Sequence, residues 1–328
     1  MRAILVAALA VLCIVAAIVA RGGGGGHQGA TGGRPSPVRA TERPVRLTAQ
    51  VVGHLSAPAQ DAAVAQVGTA RAVLLGGLSS ADTSRADAVL LHGSREARHY
   101  LLPAALHDAA AVSLGRRVYL FGGGNLATSA QILQVSLHGR PARVVGRLPR
   151  PLSDIAAAAV RGRAFVVGGF DGRSASDAIL SWRPGRAVHV VGHLPHPLRY
   201  AAVAALGPIV YIAGGTTPRG ASHDIFAFDT RSRELREVAR LPRPVTHAAA
   251  AAFGCCVYVI GGRGDRLGTQ TRRIFAFDPR HRRLRSAGRL PVPLSDLGVV
   301  SQRRRILAIG GRTATQAVST VVELRPPS

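Results

Sequence analysis

The sequence predicts an all-β protein made of six repeats of four short strands, closed into a ring. Three observations carry this. First, glycine pairs follow short apolar runs at Gly76-Gly77, Gly122-Gly123, Gly168-Gly169, Gly214-Gly215, Gly261-Gly262 and Gly310-Gly311, their first glycines 46, 46, 46, 47 and 49 residues apart. A period in this range marks a repeat architecture. Second, an alanine-rich run stands before the apolar run, as in DAAAV (108–112), IAAAAV (155–160) and HAAAAAF (247–253). Third, a Leu-Pro element stands before that: LPRPLSD (148–154), LPHPLRY (194–200), LPRPVTH (241–247) and LPVPLSD (290–296).

The elements follow in chain order. Residues 3–20, AILVAALAVLCIVAAIVA, form an uncharged run of 18 residues after Met1-Arg2. That is long for the apolar part of a signal peptide and just long enough to span a bilayer. We read it as an uncleaved anchor, with secretion after cleavage as the alternative; either exports the rest of the chain. Residues 21–44, rich in glycine and proline with polar residues between, read as a flexible linker. The expected organisation is anchor 1–20, linker 21–44 and repeat domain 45–328.

Within a repeat, alanine alone would favour helix. The runs are only about five residues long and are bounded by Pro and Gly, so the innermost strand is the better assignment. There repeats converge on an axis and large side chains would collide. The second strand is VYLF (118–121), VYIA (210–213) or VYVI (257–260). Its glycine pair marks close backbone approach or positive φ. The third strand appears in DIFAFDTR (224–231) and RIFAFDPR (273–280), and the fourth in AVHVVGHL (187–194). Four such strands make one blade of a propeller. The last repeat ends after its third strand, STVVELRP. RLTAQVVGHL (46–55) precedes the first repeat and shares VVGHL with residues 190–194. Residues 46–55 are therefore expected to supply the missing fourth strand against residues 318–324, leaving no open edge.

The apolar-Gly-Gly units, the FDTRSREL and FDPRHRRL turns and the Leu-Pro lead into the next repeat resemble the kelch-repeat family of β-propellers over residues 45–328. Where the family usually carries a tyrosine and then a tryptophan, this chain has Phe228 and Phe277, then Leu235 and Leu284; Trp182 is the sole tryptophan. The resemblance implies a six-bladed kelch-type propeller.

Composition narrows the function. The net charge of +25 suggests a nucleic-acid partner. Yet all 42 basic residues are arginine in Ala- and Gly-rich text, which points to a GC-rich bacterial genome. Aromatics are 4% and scattered, without the stacking platforms that bind single strands. Cys13, Cys255 and Cys256 form neither a disulfide framework nor a zinc pattern. GGGNLA (122–127) loosely fits a dinucleotide fingerprint, but TSAQILQVSLH after it reads as strand where a helix is required. Arg263-Gly264-Asp265 is a short motif expected by coincidence in this composition. Some kelch-like propellers are copper oxidases with a modified Tyr-Cys pair; Cys255 and Cys256 at a strand turn, with Tyr119, Tyr211 and Tyr258 in repeat phase, do not fit one. No catalytic residue, cofactor or metal is expected.

The candidate ligand site comes from repeat phase. Long connections fall on one face of the ring and short turns on the other. At the start of the inner strand stand Asp61, Asp108, Asp154, Tyr200, His247 and Asp296, expected to ring the channel mouth on the long-loop face. Repeated Asp also suits a purely structural turn role. Tyr200 and His247 break the repeat beside Arg199, and His107 flanks Asp108. Arginine gathers at the short turns, for example Arg116-Arg117, Arg161, Arg231, Arg280, Arg282 and the run Arg303-Arg304-Arg305. The linker should leave from that face, holding it against anionic lipid or wall polymer. The expected function is an exported, membrane-anchored binding module for a protein or glycan-like ligand. The alternatives are a carbohydrate-active enzyme such as a sugar epimerase or mutarotase, which the resemblance allows, and a structural scaffold.

Overall fold

The structure, a computed structural model, describes residues 44–327. The regular elements among them are all β-strands in antiparallel sheets. The sequence-predicted anchor, and the linker up to residue 43, lie outside the described residues. Among the described residues no helix is long and apolar enough to cross a membrane.

The strands form four-stranded units, labelled I to VI in chain order. Unit III shows the pattern: Ala156–Val160, Arg163–Val167, Ala178–Trp182 and His189–His193 pair antiparallel in that order. Units I and II share one continuous sheet, because Arg95–Leu114 is a single 20-residue strand. Its first half closes unit I and its second half opens unit II. The lead here is LLPAAL, with Pro103 but no second proline, so nothing forces the chain out of the extended form.

The innermost strands pack side by side in a closed cycle: Ala63–Val67, the second half of Arg95–Leu114, Ala156–Val160, Ala202–Leu206, Ala249–Phe253 and Gly298–Gln302. The crowding is real. A Cβ added to Gly298 would lie 2.1 Å from Cγ2 of Val64. This is why alanine dominates despite its helical preference. Larger side chains fill the layers between units: Trp182 is buried edge-on to Tyr119 and Phe121, with ring centroids 5.0 and 5.5 Å away.

The glycine pairs are junctions between units. Gly168 and Gly169 both have positive φ, +64° and +106°. The Gly169 N–H donates to the Leu198 carbonyl at 2.8 Å, and a Cβ on Gly168 would sit 2.1 Å from that oxygen. The same bond runs from Gly77 to Leu106, Gly123 to Leu152, Gly215 to Val245, Gly262 to Leu294 and Gly311 to Ala59. Each acceptor ends the lead into the next unit, and each lead is pinned by buried apolar residues, such as Leu194 and Leu198. The last of these bonds returns from unit VI to the start of unit I.

Closure is also made by pairing. Thr48–His54 runs antiparallel to Thr320–Arg325, from Thr48 opposite Arg325 to His54 opposite Thr320, with an irregularity between Val51 and Gly53. The chain before it is tied to unit V. The Leu47 N–H donates to the Ala287 carbonyl at 2.6 Å. The Tyr258 hydroxyl donates to the Val45 carbonyl at 2.9 Å and accepts from the Val45 N–H at 3.1 Å. Thr48 enters at the short-turn end of its partner strand.

Candidate functional site at the channel mouth

The start of each innermost strand lies at one point of a circle. Asp61, Asp108, Asp154, Tyr200, His247 and Asp296 all take the left-handed conformation, with φ between 52° and 59°. Each N–H donates to the carbonyl of its predecessor: Asp108 to Asp61, Asp154 to Asp108, Tyr200 to Asp154, His247 to Tyr200, Asp296 to His247 and Asp61 to Asp296, at 2.9 to 3.2 Å. The circle is complete. It explains the repeated aspartate, a residue that tolerates this conformation better than most. Tyrosine has no such excuse, so Tyr200 carries backbone strain of the kind that gathers at functional positions.

The six side chains line a depression of about 110 Å³. On the aspartate side, burial and then the charges of Asp296 and Asp108 hold the Asp61 carboxyl well above the usual carboxylate range. Burial and then Asp154 do the same to Asp108. Asp296 is raised by burial, against hydrogen bonds from Ser295 and Asp61 and the nearby Arg263 and Arg312. Crowded carboxyls cannot all ionise, so this side holds protons that solvent-exposed aspartates would release.

The other side is aromatic and cationic. The rings of Tyr200 and His247 stack, centroids 3.7 Å apart and planes 23° off parallel. Arg199 pairs with Asp154. Its guanidinium lies 4.2 Å from the Phe170 ring centroid and 5.1 Å from that of Tyr200. His247 Nε2 meets an Arg263 guanidinium nitrogen at 3.1 Å, and its Nδ1 meets the Thr246 hydroxyl at 3.0 Å. A guanidinium can only donate, so Nε2 is the acceptor and the ring proton is on Nδ1. Burial, then Arg263 and Arg199, pull the imidazole pKa down to about 3, so the ring is neutral at physiological pH. Burial likewise pushes the Tyr200 hydroxyl far above its ordinary value.

The structure thus brings together all six ring residues and Arg199. His107, one residue before Asp108, is not among the residues lining the depression: its Nδ1 meets the Ser84 hydroxyl at 2.8 Å and its Nε2 is 3.6 Å from Asp108. Burial lowers its pKa. Sequence reasoning missed Phe170, Arg263 and Arg312, which immediately follow the glycine pairs of units III, V and VI. Two of these positions hold arginine where unit I has Leu78, and that departure from the repeat was the available signal. Gln60 Oε1, Arg263 Nε and Arg312 Nε are buried near the mouth without a protein partner among the described residues. Asp265 of the Arg-Gly-Asp motif accepts the Ala221 N–H, so both charged members of that motif serve the local structure. The predicted nucleotide-like loop leads into strand Gln131–Val135. Cys255 and Cys256 are free thiols at a strand turn. No group of acidic, His or Cys residues with metal-holding geometry occurs among the described residues.

A closed cycle of four-stranded antiparallel units, with inner strands around an axis and small edges protected by neighbours, defines a β-propeller. The kelch motif family matches residues 244–283, spanning the glycine pair and third strand of unit V. The solved structure of YjhT superposes with a TM-score of 0.71 at 16% identity, covering 82% of this chain and 95% of that one. The motif match in unit V and this superposition support a kelch-type propeller fold. No curated protein sequence matches it. Solved chains similar to it number 794, a fold too widely used to name an activity.

Proposed function

We propose that the chain is a six-bladed propeller, exported and anchored through residues 3–20, that binds a protein or glycan-like polar ligand at the long-loop mouth. The observation that carries this is the break in an otherwise symmetric ring: Tyr200 stacked on His247, flanked by Arg199 and Arg263. A backbone circle that accepts aspartate elsewhere has no folding reason to hold a strained tyrosine there. The stacked rings and guanidinium groups suit a planar polar group or a sugar face.

Two features favour binding over a carbohydrate-active epimerase or mutarotase. The depression, about 110 Å³, is small against the roughly 300–1,000 Å³ of sites that engulf a ligand. It suits a protruding terminal group. His247, the nearest candidate base, has its Nε2 lone pair taken by Arg263. The test is a glycan array and a pull-down against surface proteins, run beside an assay for reducing-sugar turnover. Binding without turnover, lost in Tyr200→Ala/His247→Ala, is expected. Turnover abolished by the same double variant would establish the enzyme instead. Anchoring is tested by fractionation: the full chain should pellet with membranes and resist carbonate, whereas a mature form in the medium would establish a cleaved signal.

A further inference from the structure

On the short-turn face, opposite the mouth, units I and II enclose a cleft of about 1210 Å³. Five arginines line it: Arg71, Arg116, Arg117, Arg140 and Arg143. They come from equivalent places. Arg71 opens the second strand of unit I, Arg117 opens that of unit II with Arg116 in the turn before it, and Arg140 and Arg143 sit at and just after the last turn of unit II. That last turn, residues 136–142, is longer than the other third-to-fourth-strand turns and walls the cleft. It is held in place by the Tyr100 hydroxyl, which donates to the Leu137 carbonyl at 2.7 Å. All five arginines are exposed, and none forms a salt bridge with any described residue. His92 and His138 add further donors, and no carboxylate lines the cleft.

A second cleft on the same face, between units IV and V, shows what an ordinary one looks like. It encloses about 340 Å³ and is lined by Asp229 and Glu234 as well as Arg236 and Arg282. Arg236 is neutralised by Glu234 at 2.6 Å. Scattered arginine from a biased genome explains that mixture. It does not explain five unpaired guanidiniums converging on one large concavity with every acid excluded.

We propose that this cleft binds a phosphate-repeat polyanion, a chain of phosphates or polyol phosphates lying across units I and II. Planar guanidinium forks match phosphate oxygens bidentately. Concavity favours a flexible chain over a flat bilayer. The lining contains no Phe, Tyr or Trp, so it recognises phosphate without a base to stack on, which argues against nucleic acid. This site is independent of the mouth.

The test uses the full-length protein in detergent, with inorganic polyphosphate as the probe. Affinity should fall with salt, with a log–log slope approaching about −3.5 if five phosphates are engaged at about −0.7 each. Glutamine at all five cleft arginines should weaken binding at least about tenfold and flatten that slope. A control set with the same charge loss on the same face, at Arg231, Arg280, Arg283, Arg303 and Arg304, should weaken it far less. Equal loss in both sets would show that only net charge matters and would overturn the site. The unmutated protein gives a second measurement independent of variant folding: polyphosphate should protect Arg116, Arg117 and Arg140 from phenylglyoxal, and uniform reactivity overturns the proposal. Tighter binding of a single-stranded oligonucleotide of equal phosphate number, or of anionic phospholipid vesicles, would assign the cleft to those partners and overturn the polyphosphate reading.

Discussion

The two sides of the mouth share one backbone and differ in every side chain that matters. From Asp296 through Asp61 and Asp108 to Asp154, the ring is a row of crowded carboxyls. From Tyr200 to His247 it is a stacked aromatic pair between arginines. Dihedrals and hydrogen bonds are the same throughout: φ stays between 52° and 59°, and every ring N–H meets the preceding carbonyl. Backbone symmetry here belongs to folding. The side-chain asymmetry must be explained by something else, and binding is the explanation offered above.

Four experiments sharpen or break this comparison. The largest effect should come from opening the ring. Deleting residues 45–55 removes the strand Thr48–His54 and leaves Thr320–Arg325 as a bare edge, which invites aggregation. Most of the stability should be lost, and both sides of the mouth with it. A truncated protein that melts like the full one would show that closure does not rest on this strand.

Next, the glycine junctions should cost the same on either side. Gly168→Ala, in unit III on the aspartate side, puts a Cβ 2.1 Å from the Leu198 carbonyl oxygen. Gly214→Ala, in unit IV, puts one 2.3 Å from that of Val245. Each combines left-handed strain with a backbone clash, about 3 kcal/mol in all. Denaturant melts that differ by more than about 1 kcal/mol between the two would show that the backbone is not symmetric after all.

The two sides should then respond to pH in opposite directions. Raised pKa values at Asp61 and Asp108 mean that the folded protein holds protons the unfolded chain gives up above about pH 4. Their contribution to stability is full in acid and declines as pH rises. Asp61→Asn or Asp108→Asn should therefore stabilise at neutral pH, with the gain shrinking towards pH 4. His247 has the reverse sign. Its folded pKa of about 3 lies below the unfolded value near 6.5, so stability is full above about 6.5 and falls as the pH drops towards 3. His247→Asn should flatten that acid limb. Chemical denaturation across pH 3 to 8 reads both limbs, and parallel shifts in the two variants would refute the contrast.

The smallest effect on stability should be at Tyr200. Tyr200→Asn relieves about 1 kcal/mol of left-handed strain and loses a stack of about the same size. The melting midpoint should barely move while ligand binding at the mouth disappears. Retained binding would remove the reason for treating the aromatic side as functional.

Much of this architecture was legible in the chain. The period of the glycine pairs, the alanine runs and the unmatched VVGHL segment located the strands and the closing pair, because each unit repeats the same local solution. The ring positions were legible from repeat phase alone. What repeat phase could not show was which atoms meet. Whether Arg199 turns to Asp154 in the neighbouring unit, whether Arg263 caps the His247 lone pair across unit V, and that the Leu-Pro carbonyls seat on the glycine pairs, all depend on contacts between residues well separated in the chain. The same limit hid the basic cleft. Arg71, Arg116 and Arg143 are ordinary turn residues in the sequence and become one charged surface only when units I and II stand side by side. Local sequence determined the unit, because strand, turn and small-residue preferences act over a few residues. The surfaces between units were decided by tertiary structure, because charge and stacking act through space between residues that the chain holds far apart.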